Sequence, residues 1–253
     1  MKYGFRDYRG GGRSSGRETI GRVAAGAVAA RLLERLGIRL CTYTKAIGPV
    51  SVPEEEYDFN AINTNPLYMP GSGYAEKAQA YLTECIESLD SAGGIIECQV
   101  TGLPAGIGEP VFQKLDASLA RGIMSIGAVK GVEIGDGFAA AWSRGSINND
   151  PFLCQDGEVV KETNHSGGTL GGMSDGSPLI LRAAVKPTPS IAREQKTVNS
   201  RLEDTQLTIR PHDPVIVPRA VVVVEAMTAL TIADLLLQNM TSRLDHIEEF
   251  YQK

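Results

Sequence analysis

The sequence has few of the residues from which common metal and nucleophile sites are built. Its 253 residues include three histidines, four cysteines and one tryptophan. The cysteines form no C-x-x-C pair, and no histidine lies at metal-ligand spacing beside Cys41, Cys85, Cys98 or Cys154. This cysteine usage indicates a reducing compartment and no structural metal. The H-E-x-x-H and P-loop motifs are also missing, so neither of them assigns a function.

Long uninterrupted hydrophobic runs are missing as well. The most apolar stretch, residues 220–237, contains Glu225 and Asp234 and is short for a membrane span, so it predicts a buried helix. No charged leader followed by an apolar run opens the chain, which predicts no signal peptide and a cytoplasmic protein. A hydrophobic content of 42% is enough to bury a sizeable core.

Positive charge is scarce except near the start of the chain. Residues 1–36 carry eight Lys/Arg against three Asp/Glu, a net of +5, whereas the whole chain carries −5, which leaves −10 for the remainder. A nucleic-acid backbone usually needs a broad basic face. A local basic cluster on an acidic protein therefore favours a small anionic ligand.

The arginine–glycine run at residues 6–18, RDYRGGGRSSGRE, is the strongest local signal. Ser15 and Glu18 have the S-x-x-E spacing of a capping box, which predicts that a helix begins near residue 16. A helix N-terminus offers unpaired N–H groups, and glycine lets a ligand approach the backbone closely. Arg13 and Arg17 can add bidentate, permanently charged donors. The run predicts a site for a phosphorylated ligand.

Two other interpretations of the run are a solvated flexible arm and an RGG-type RNA-binding tract. Such tracts usually repeat and lie in disordered sequence. This run occurs once and leads into a predicted helix, which favours the anion site.

Periodicity predicts a mixed helix and strand protein in which residues 74–134 run α-β-α-β, as in a sheet covered on one face by helices. Residues 50–72 are predicted to be a long connection and residues 148–163 a mobile loop. Helices are predicted at 16–36, 74–89, 109–124 and 219–244, and strands at 38–47, 95–103, 128–134 and 178–185.

Three further stretches carry weaker signals. The glycine pairs of residues 167–172 precede a strand, which favours a tight turn over a dinucleotide fingerprint. Residues 186–190, KPTPS, could hold a phosphate, although a surface turn is the simpler interpretation. His212 and Asp213 adjoin, but neighbours on an extended chain point apart, and an Asp ahead of a helix is usually a cap. His165 and His246 are expected to be solvated.

Together these stretches resemble the chorismate synthase family. Matching blocks occur in the family's order along almost the whole chain, and colinear blocks are far more specific than any one glycine motif. They are KYGFRDYRGGGRSSGRET (2–19), RVAAGAVA (22–29), VEIGDGF (132–138), GGTLGGMSDGSP (167–178), KPTPSI (186–191) and HDPVIVPRAVVVVEAM (212–227).

The resemblance implies an α+β fold, a β-α-β sandwich of antiparallel sheets flanked by helices, with residues 1–253 as one domain of a homotetramer. It implies a lyase that removes phosphate and a ring proton from 5-enolpyruvylshikimate 3-phosphate, giving chorismate for aromatic amino-acid biosynthesis. The reaction has no net redox change, yet the family requires reduced FMN. Whether NADPH or a separate reductase supplies the electrons is left open.

The resemblance also implies roles for individual residues. Arg17 matches an arginine near the substrate phosphate, and Asp213 matches the aspartate proposed to relay the proton at flavin N5. The implied flavin contacts are Arg13, Ser14, Ser15, Ile147, Asn148, Gly171, Lys186, Pro187, Thr188, Pro189 and Ser190.

Two departures from the family pattern bear on activity. Pro211 stands where the family has an arginine, so Arg210 is the candidate replacement for that contact. The family also carries an N-terminal segment with two histidines believed to act as general acids, and no histidine precedes His165 here. The alternative expectation is therefore a truncated, non-catalytic flavin- or phosphate-binding remnant.

Overall fold

The computed structural model describes residues 2–5, 9, 11–210 and 213–252. Residues 6–8 and 10 of the arginine–glycine run, and Pro211 and His212, lie outside this description. The elements follow in the order α1 Thr19–Arg35, β1 Arg39–Ile47, β2 Val50–Ser51, α2 Ser72–Glu87, β3 Gly94–Thr101, α3 Leu115–Met124, β4 Val129–Ile134, α4 Gly145–Asn148, β5 Phe152–Gln155, β6 Glu158–Lys161, β7 Thr169–Leu170, β8 Met173–Ser174, β9 Leu179–Val185, β10 Gln195–Val198, β11 Asp204–Leu207, α5 Val217–Asn239 and α6 Leu244–Tyr251.

One five-stranded antiparallel sheet, in the order β2-β1-β3-β9-β4, organises the chain. Alternate residues of its strands, such as Ile96, Cys98 and Val100, are buried in the main core. Helices α1, α3 and α5 contribute to the same core. The remaining strands form the hairpins β5-β6, β7-β8 and β10-β11. The predicted α+β class with an antiparallel sheet and helices packed on it is confirmed.

The opposite face of the sheet buries a charged network. The carboxylate of Glu97 accepts a hydrogen bond from the Arg182 Nε at 2.6 Å and another from the Tyr43 hydroxyl, and the Lys45 Nζ lies 3.5 Å away. Burial raises the pKa of Glu97, but the Tyr43 hydrogen bond and the two cations outweigh it and hold the pKa below its usual value. The buried polar groups on this face are therefore paired with one another.

Helix α5 lies at the centre of the core. By length and composition alone it could cross a membrane. However, it contacts α1, α3, β1 and β3, and half of its most apolar stretch is buried inside the protein. Its closest approach is to α1, where a Cβ added at Gly26 would lie 2.3 Å from the Cβ of Ala226 and 2.5 Å from its Cα. The small residues of α1 and α5 therefore allow the two helices to pack closely.

Replacing Gly26 with alanine should destabilise the fold by about 1–3 kcal/mol, because the new methyl group meets the α5 backbone and the two helices must separate. Gly21→Ala is the matched control, since a Cβ there meets nothing within 4 Å. It should leave stability unchanged or raise it by up to about 1 kcal/mol through helix propensity. Urea unfolding of both variants measures the difference, and equal stabilities would contradict the close-packing argument.

The other apolar side of α1 is not buried as the sequence pattern predicts. Ile20 and Val28 are 71% and 73% exposed, whereas Gly26, Ala29 and Leu33 are buried. The helix is apolar on two sides, and only the narrow side formed by small residues fits against α5. The side that carries Ile20 and Val28 is therefore apolar but exposed.

Three predicted boundaries also differ. Helix α3 begins at Leu115 instead of residue 109, because Gly108 and Val111 have positive φ and hold a turn there. The last predicted helix is divided, since the hydroxyls of Thr241 and Ser242 bind carbonyls of the preceding turn between α5 and α6. The loop predicted at 148–163 contains the β5-β6 hairpin.

Candidate functional site

The entrance to α1, residues 11–18, forms two short 3-10 turns, Gly12–Ser14 and Gly16–Glu18. The Ser15 Oγ accepts a hydrogen bond from the Arg17 N–H at 3.3 Å, so Ser15 caps the helical segment as predicted. The Glu18 carboxylate does not complete the capping box. It pairs with the Arg22 Nε at 3.0 Å instead. Arg13 and Arg17 are exposed and available to an anion.

Arg22 connects this entrance to one end of the sheet. Its Nη1 donates to the Ser125 Oγ at 2.5 Å, just before β4 begins. Three residues later, the Ala128 carbonyl accepts a hydrogen bond from the Lys186 N–H at 3.0 Å, where β9 ends. The α1 entrance and the 186–190 turn therefore lie toward the same end of the fold. That Arg13 and Lys186 contact one ligand remains a prediction.

The 186–190 turn contains an unsatisfied polar group. The Thr188 carbonyl accepts a hydrogen bond from the Ser91 hydroxyl at 2.7 Å, which fixes the backbone of the turn. The Thr188 Oγ1 is buried and has no hydrogen-bond partner in the part of the chain that the structure describes. A buried hydroxyl without a partner is costly, so this atom is suited to meeting a polar ligand. Lys186 is exposed beside it.

Residues 90–92 join this turn to Asp213. The Ala92 N–H donates to the Pro214 carbonyl at 2.7 Å, next to Ser91, which binds Thr188. The Asp213 carboxylate pairs with the Arg219 Nη1 at 2.9 Å. Helix α5 is preceded by Ile216, which makes no side-chain cap, so the simpler interpretation of Asp213 as a cap is wrong.

Asp213 lies on a groove of about 900 Å³ beside the first turns of α5. Most of its lining is apolar, from α2, α5 and residues 62–68, and its polar groups include Asp213, Arg219, Thr42 and Glu225. Burial raises the pKa of Glu225, with the Thr42 hydrogen bond opposing it. A large apolar groove with a few polar groups is the usual form of a small-molecule site. The sequence pattern did not single out Glu225.

Gly171 lies at the other end of the sheet. With Gly172 it forms the turn of the β7-β8 hairpin, and both glycines have positive φ, so the predicted tight turn is confirmed. A Cβ at Gly168 would lie 2.9 Å from the Cα of Leu179, where β9 begins. Lys186 follows the end of β9, about 20 Å of strand away. Within one chain, Gly171 and Lys186 therefore lie at opposite ends of β9.

Ile147 and Asn148 belong to the Gly171 end. Ile147 is exposed, and the Asn148 Nδ2 donates to the Asp136 Oδ2 at 3.3 Å. The same oxygen lies 2.7 Å from the His165 Nδ1. His165 is therefore held by a carboxylate, and the expectation of a merely solvated histidine is wrong. Asp136 and His165 are separated by 29 positions, so no local motif marks the pair.

A buried ion cluster supports the loop that carries these residues. The Lys161 Nζ lies 2.5 Å from the Asp175 Oδ2, 3.3 Å from the Asp150 Oδ2 and 2.7 Å from the Ser166 Oγ. Asp150 also accepts hydrogen bonds from the N–H groups of His165 and Ser166. Burial raises the pKa of Asp150, but these hydrogen bonds outweigh it and hold the pKa well below its usual range.

Arg210, the proposed replacement for the family arginine, is exposed and stands next to the undescribed residues 211–212. The remaining members of the 186–190 turn are exposed or half-buried. The structure thus sorts the implied site residues into two groups. Lys186–Ser190, Asp213 and the α1 entrance lie toward one end of the sheet, and Ile147, Asn148 and Gly171 lie at the other.

Comparison with known proteins supports the family resemblance of the sequence blocks. The family model described as Chorismate synthase matches residues 1–237. The chorismate synthase of Agathobacter rectalis is 66% identical over 253 residues, covering 100% of this chain and 69% of the relative. That of Archaeoglobus fulgidus is 50% identical over 247 residues, covering 96% of this chain and 69% of the relative. A crystal structure of chorismate synthase aligns with a TM-score of 0.76 at 30% identity, covering 94% of this chain and 68% of that one. The chain belongs to the chorismate synthase family.

Proposed function

We propose that the chain carries out the reaction of its family, the 1,4-elimination of phosphate from 5-enolpyruvylshikimate 3-phosphate to give chorismate. Family membership along residues 1–237 is the observation that carries this proposal. The exposed cations of the α1 entrance and the groove beside Asp213 support it, because the reaction needs an anion site and a group that handles a proton.

Reduced FMN is the proposed cofactor, and the residues at the Lys186 end fit it. The unpartnered Thr188 Oγ1 supplies a polar contact, and Lys186 and Arg13 supply positive charge for the phosphate tail. Ser14, Ser15, Pro187, Pro189, Ser190 and Arg210 complete the proposed contacts on this end. When bound, reduced FMN supplies electron density as phosphate departs and a basic position near N5 for the ring proton.

The chain's own residues are proposed to bind, orient and move the proton. Arg17 binds the substrate phosphate, whose charge a guanidinium offsets before and after the bond breaks. Asp213, held by Arg219 at 2.9 Å, receives the ring proton at a carboxylate oxygen and passes it to solvent. The mostly apolar lining of the groove lowers the local dielectric around the Asp213 carboxylate, which strengthens its polar interactions.

A homotetramer is the proposed assembly. The two groups of implied flavin contacts lie at opposite ends of β9, so contact of one flavin with both is simplest when two copies each supply one group. We further propose that residues 1–253 form a single domain, because α5 packs against α1 and β1 from the start of the chain and against α3 from its middle. The proposed location is the cytoplasm.

The purified chain should be assayed for chorismate formation with chemically reduced FMN and 5-enolpyruvylshikimate 3-phosphate. Turnover supports the proposal. Tight FMN binding without turnover would instead identify a flavin-binding protein without this activity. The absence of both, with a folded chain by circular dichroism, would contradict the proposed function.

Arg13→Ala should weaken FMN binding by about 10- to 100-fold, the usual loss for a charge-assisted hydrogen bond. Arg31→Ala is the matched control, because Arg31 is an exposed arginine of α1 that pairs only with Glu34 among the described residues. It should bind FMN as the parent does. Quenching of flavin fluorescence on titration measures both, and equal affinities in the two variants would remove Arg13 from the site.

A further inference from the structure

A histidine–aspartate–asparagine array lies where three segments of the chain meet. Asp136 follows β4, Asn148 ends α4, and His165 lies in the loop after β6. The Asp136 Oδ2 accepts from the Asn148 Nδ2 at 3.3 Å and lies 2.7 Å from the His165 Nδ1. A carboxylate can only accept here, so the Nδ1–H of His165 donates to it. One oxygen thus holds both side chains.

The backbone fixes the same array a second time. The Asp136 N–H donates to the His165 carbonyl at 2.8 Å. Beside this bond, a Cβ at Gly135 would lie 2.1 Å from the His165 carbonyl oxygen, and one at Gly167 would lie 2.2 Å from the Gly135 nitrogen. Both glycines have positive φ, and only glycine permits this approach without strain. The position of the imidazole ring is therefore set by packed backbone.

The array leaves one ring nitrogen available. The side chains of His165 and Asp136 are 29% and 32% exposed, so the pair reaches the surface. No hydrogen bond to the His165 Nε2 exists among the described residues. A carboxylate that binds Nδ1–H fixes the ring and directs Nε2 outward, as it does for imidazoles that bind metals or move protons. The neighbours on this surface are Asn148 and the exposed Ile147.

We propose that His165 is a flavin-binding residue, whose Nε2 makes a hydrogen bond to flavin mononucleotide bound against Ile147 and Asn148. Asp136 is its positioning residue, since its carboxylate binds Nδ1 and fixes the ring. The inference rests on the proposed function, because it takes the ligand at Asn148 to be a flavin. It adds an imidazole contact to the Gly171 end of the site.

His165→Asn should weaken FMN binding by about 3- to 10-fold, because the hydrogen bond of the imidazole Nε2 is lost. His246→Asn, on the exposed helix α6, is the matched control and should bind as the parent does. Titrating the variants with riboflavin as well separates the phosphate from the rest of the cofactor. A loss for FMN alone assigns the contact to the phosphate, and a loss for both ligands assigns it to the ribityl chain or the ring.

A second measurement needs no variant. In protein labelled with 15N-histidine, the Nε2 signal of His165 should move when FMN is added, whereas that of His246 should stay in place. If the parent binds FMN, His165→Asn binds it equally and the His165 signal does not move, the inference is overturned while the proposed cofactor stands. If the folded parent binds no FMN, the inference falls together with the proposed function.

Discussion

Asp213→Asn should lower chorismate formation by about a hundred- to ten-thousand-fold, the range expected when a positioned proton-transfer group is removed. The amide is almost the same size as the carboxylate, but it cannot receive the ring proton. FMN affinity should change little, because the proposed contacts of the cofactor are made by other residues. Single-turnover kinetics with saturating reduced FMN measure the chemical step directly.

Arg219→Met provides the control for this prediction. It removes the ion pair to Asp213 but keeps the carboxylate, and the Arg219 side chain is largely exposed, so the pair contributes little stability. Turnover should fall by less than about tenfold, as expected for the loss of a weak exposed pair. Loss of activity in Arg219→Met as large as in Asp213→Asn would assign Asp213 to orientation of the groove instead of proton transfer.

Sequence patterns predicted the features that depend on interactions between nearby residues, namely helix ends and tight turns. Ser15 accepts from the Arg17 N–H because the cap and its partner are two positions apart. Gly37, two residues after the end of α1, has a φ of +81°, and its N–H and that of Ile38 donate to carbonyls of the last turn, as is usual where a glycine follows a helix. Gly171 and Gly172 form the predicted tight turn. In each case, the residues that interact are also neighbours in the sequence.

The same reasoning fails where partners are distant in sequence. In the sequence, His165 is simply a histidine in a loop. Only the fold shows that Asp136, 29 positions away and just after β4, lies beside it. Glu225 looks like a charge in an apolar helix, and only the fold shows that it faces a groove shared with Asp213. Helix α1 has two apolar sides, so periodicity cannot tell which one α5 covers. Tertiary packing supplies this information.

The division of the implied flavin contacts between two ends of the sheet also follows from tertiary structure. The Lys186 turn and the Gly171 turn lie in one continuous stretch of matching sequence, yet β9 separates them because a strand extends the chain fully. A sequence match groups residues by role, whereas the fold groups them by position. Within one chain, the two groupings agree for the Lys186 turn, Asp213 and the α1 entrance, which lie toward the same end of the sheet.

Lys161→Met should destabilise the protein by about 3–5 kcal/mol, which corresponds to a decrease of roughly 6–20 °C in Tm for a domain of this size. Lys161, Asp150 and Asp175 have side chains that are only 6–7% exposed, and Lys161 is the cation that both carboxylates face. Removing it leaves two buried carboxylates without their cation, and only their hydrogen bonds then stabilise the two negative charges. Lys196→Met, on the exposed hairpin β10-β11, is the control and should change stability by less than about 0.5 kcal/mol.

The effect of pH tests the electrostatic origin of this loss. Burial raises the pKa of Asp175, but the hydrogen bonds from Lys161 and Ser177 and the charge of Lys161 lower it below its usual value. In the parent, the cluster therefore stabilises the fold above the unfolded-state pKa of Asp, and this contribution is lost as pH falls through the folded-state pKa. In Lys161→Met, the lowering of the Asp175 pKa by Lys161 is lost while burial still raises it, so protonation becomes easier and the deficit should shrink between pH 7 and pH 4. The double variant Lys161→Met/Asp175→Asn should recover part of the loss at pH 7. A deficit that is the same at both pH values and is unchanged in the double variant would show that Lys161 acts through packing of its aliphatic chain instead of its charge.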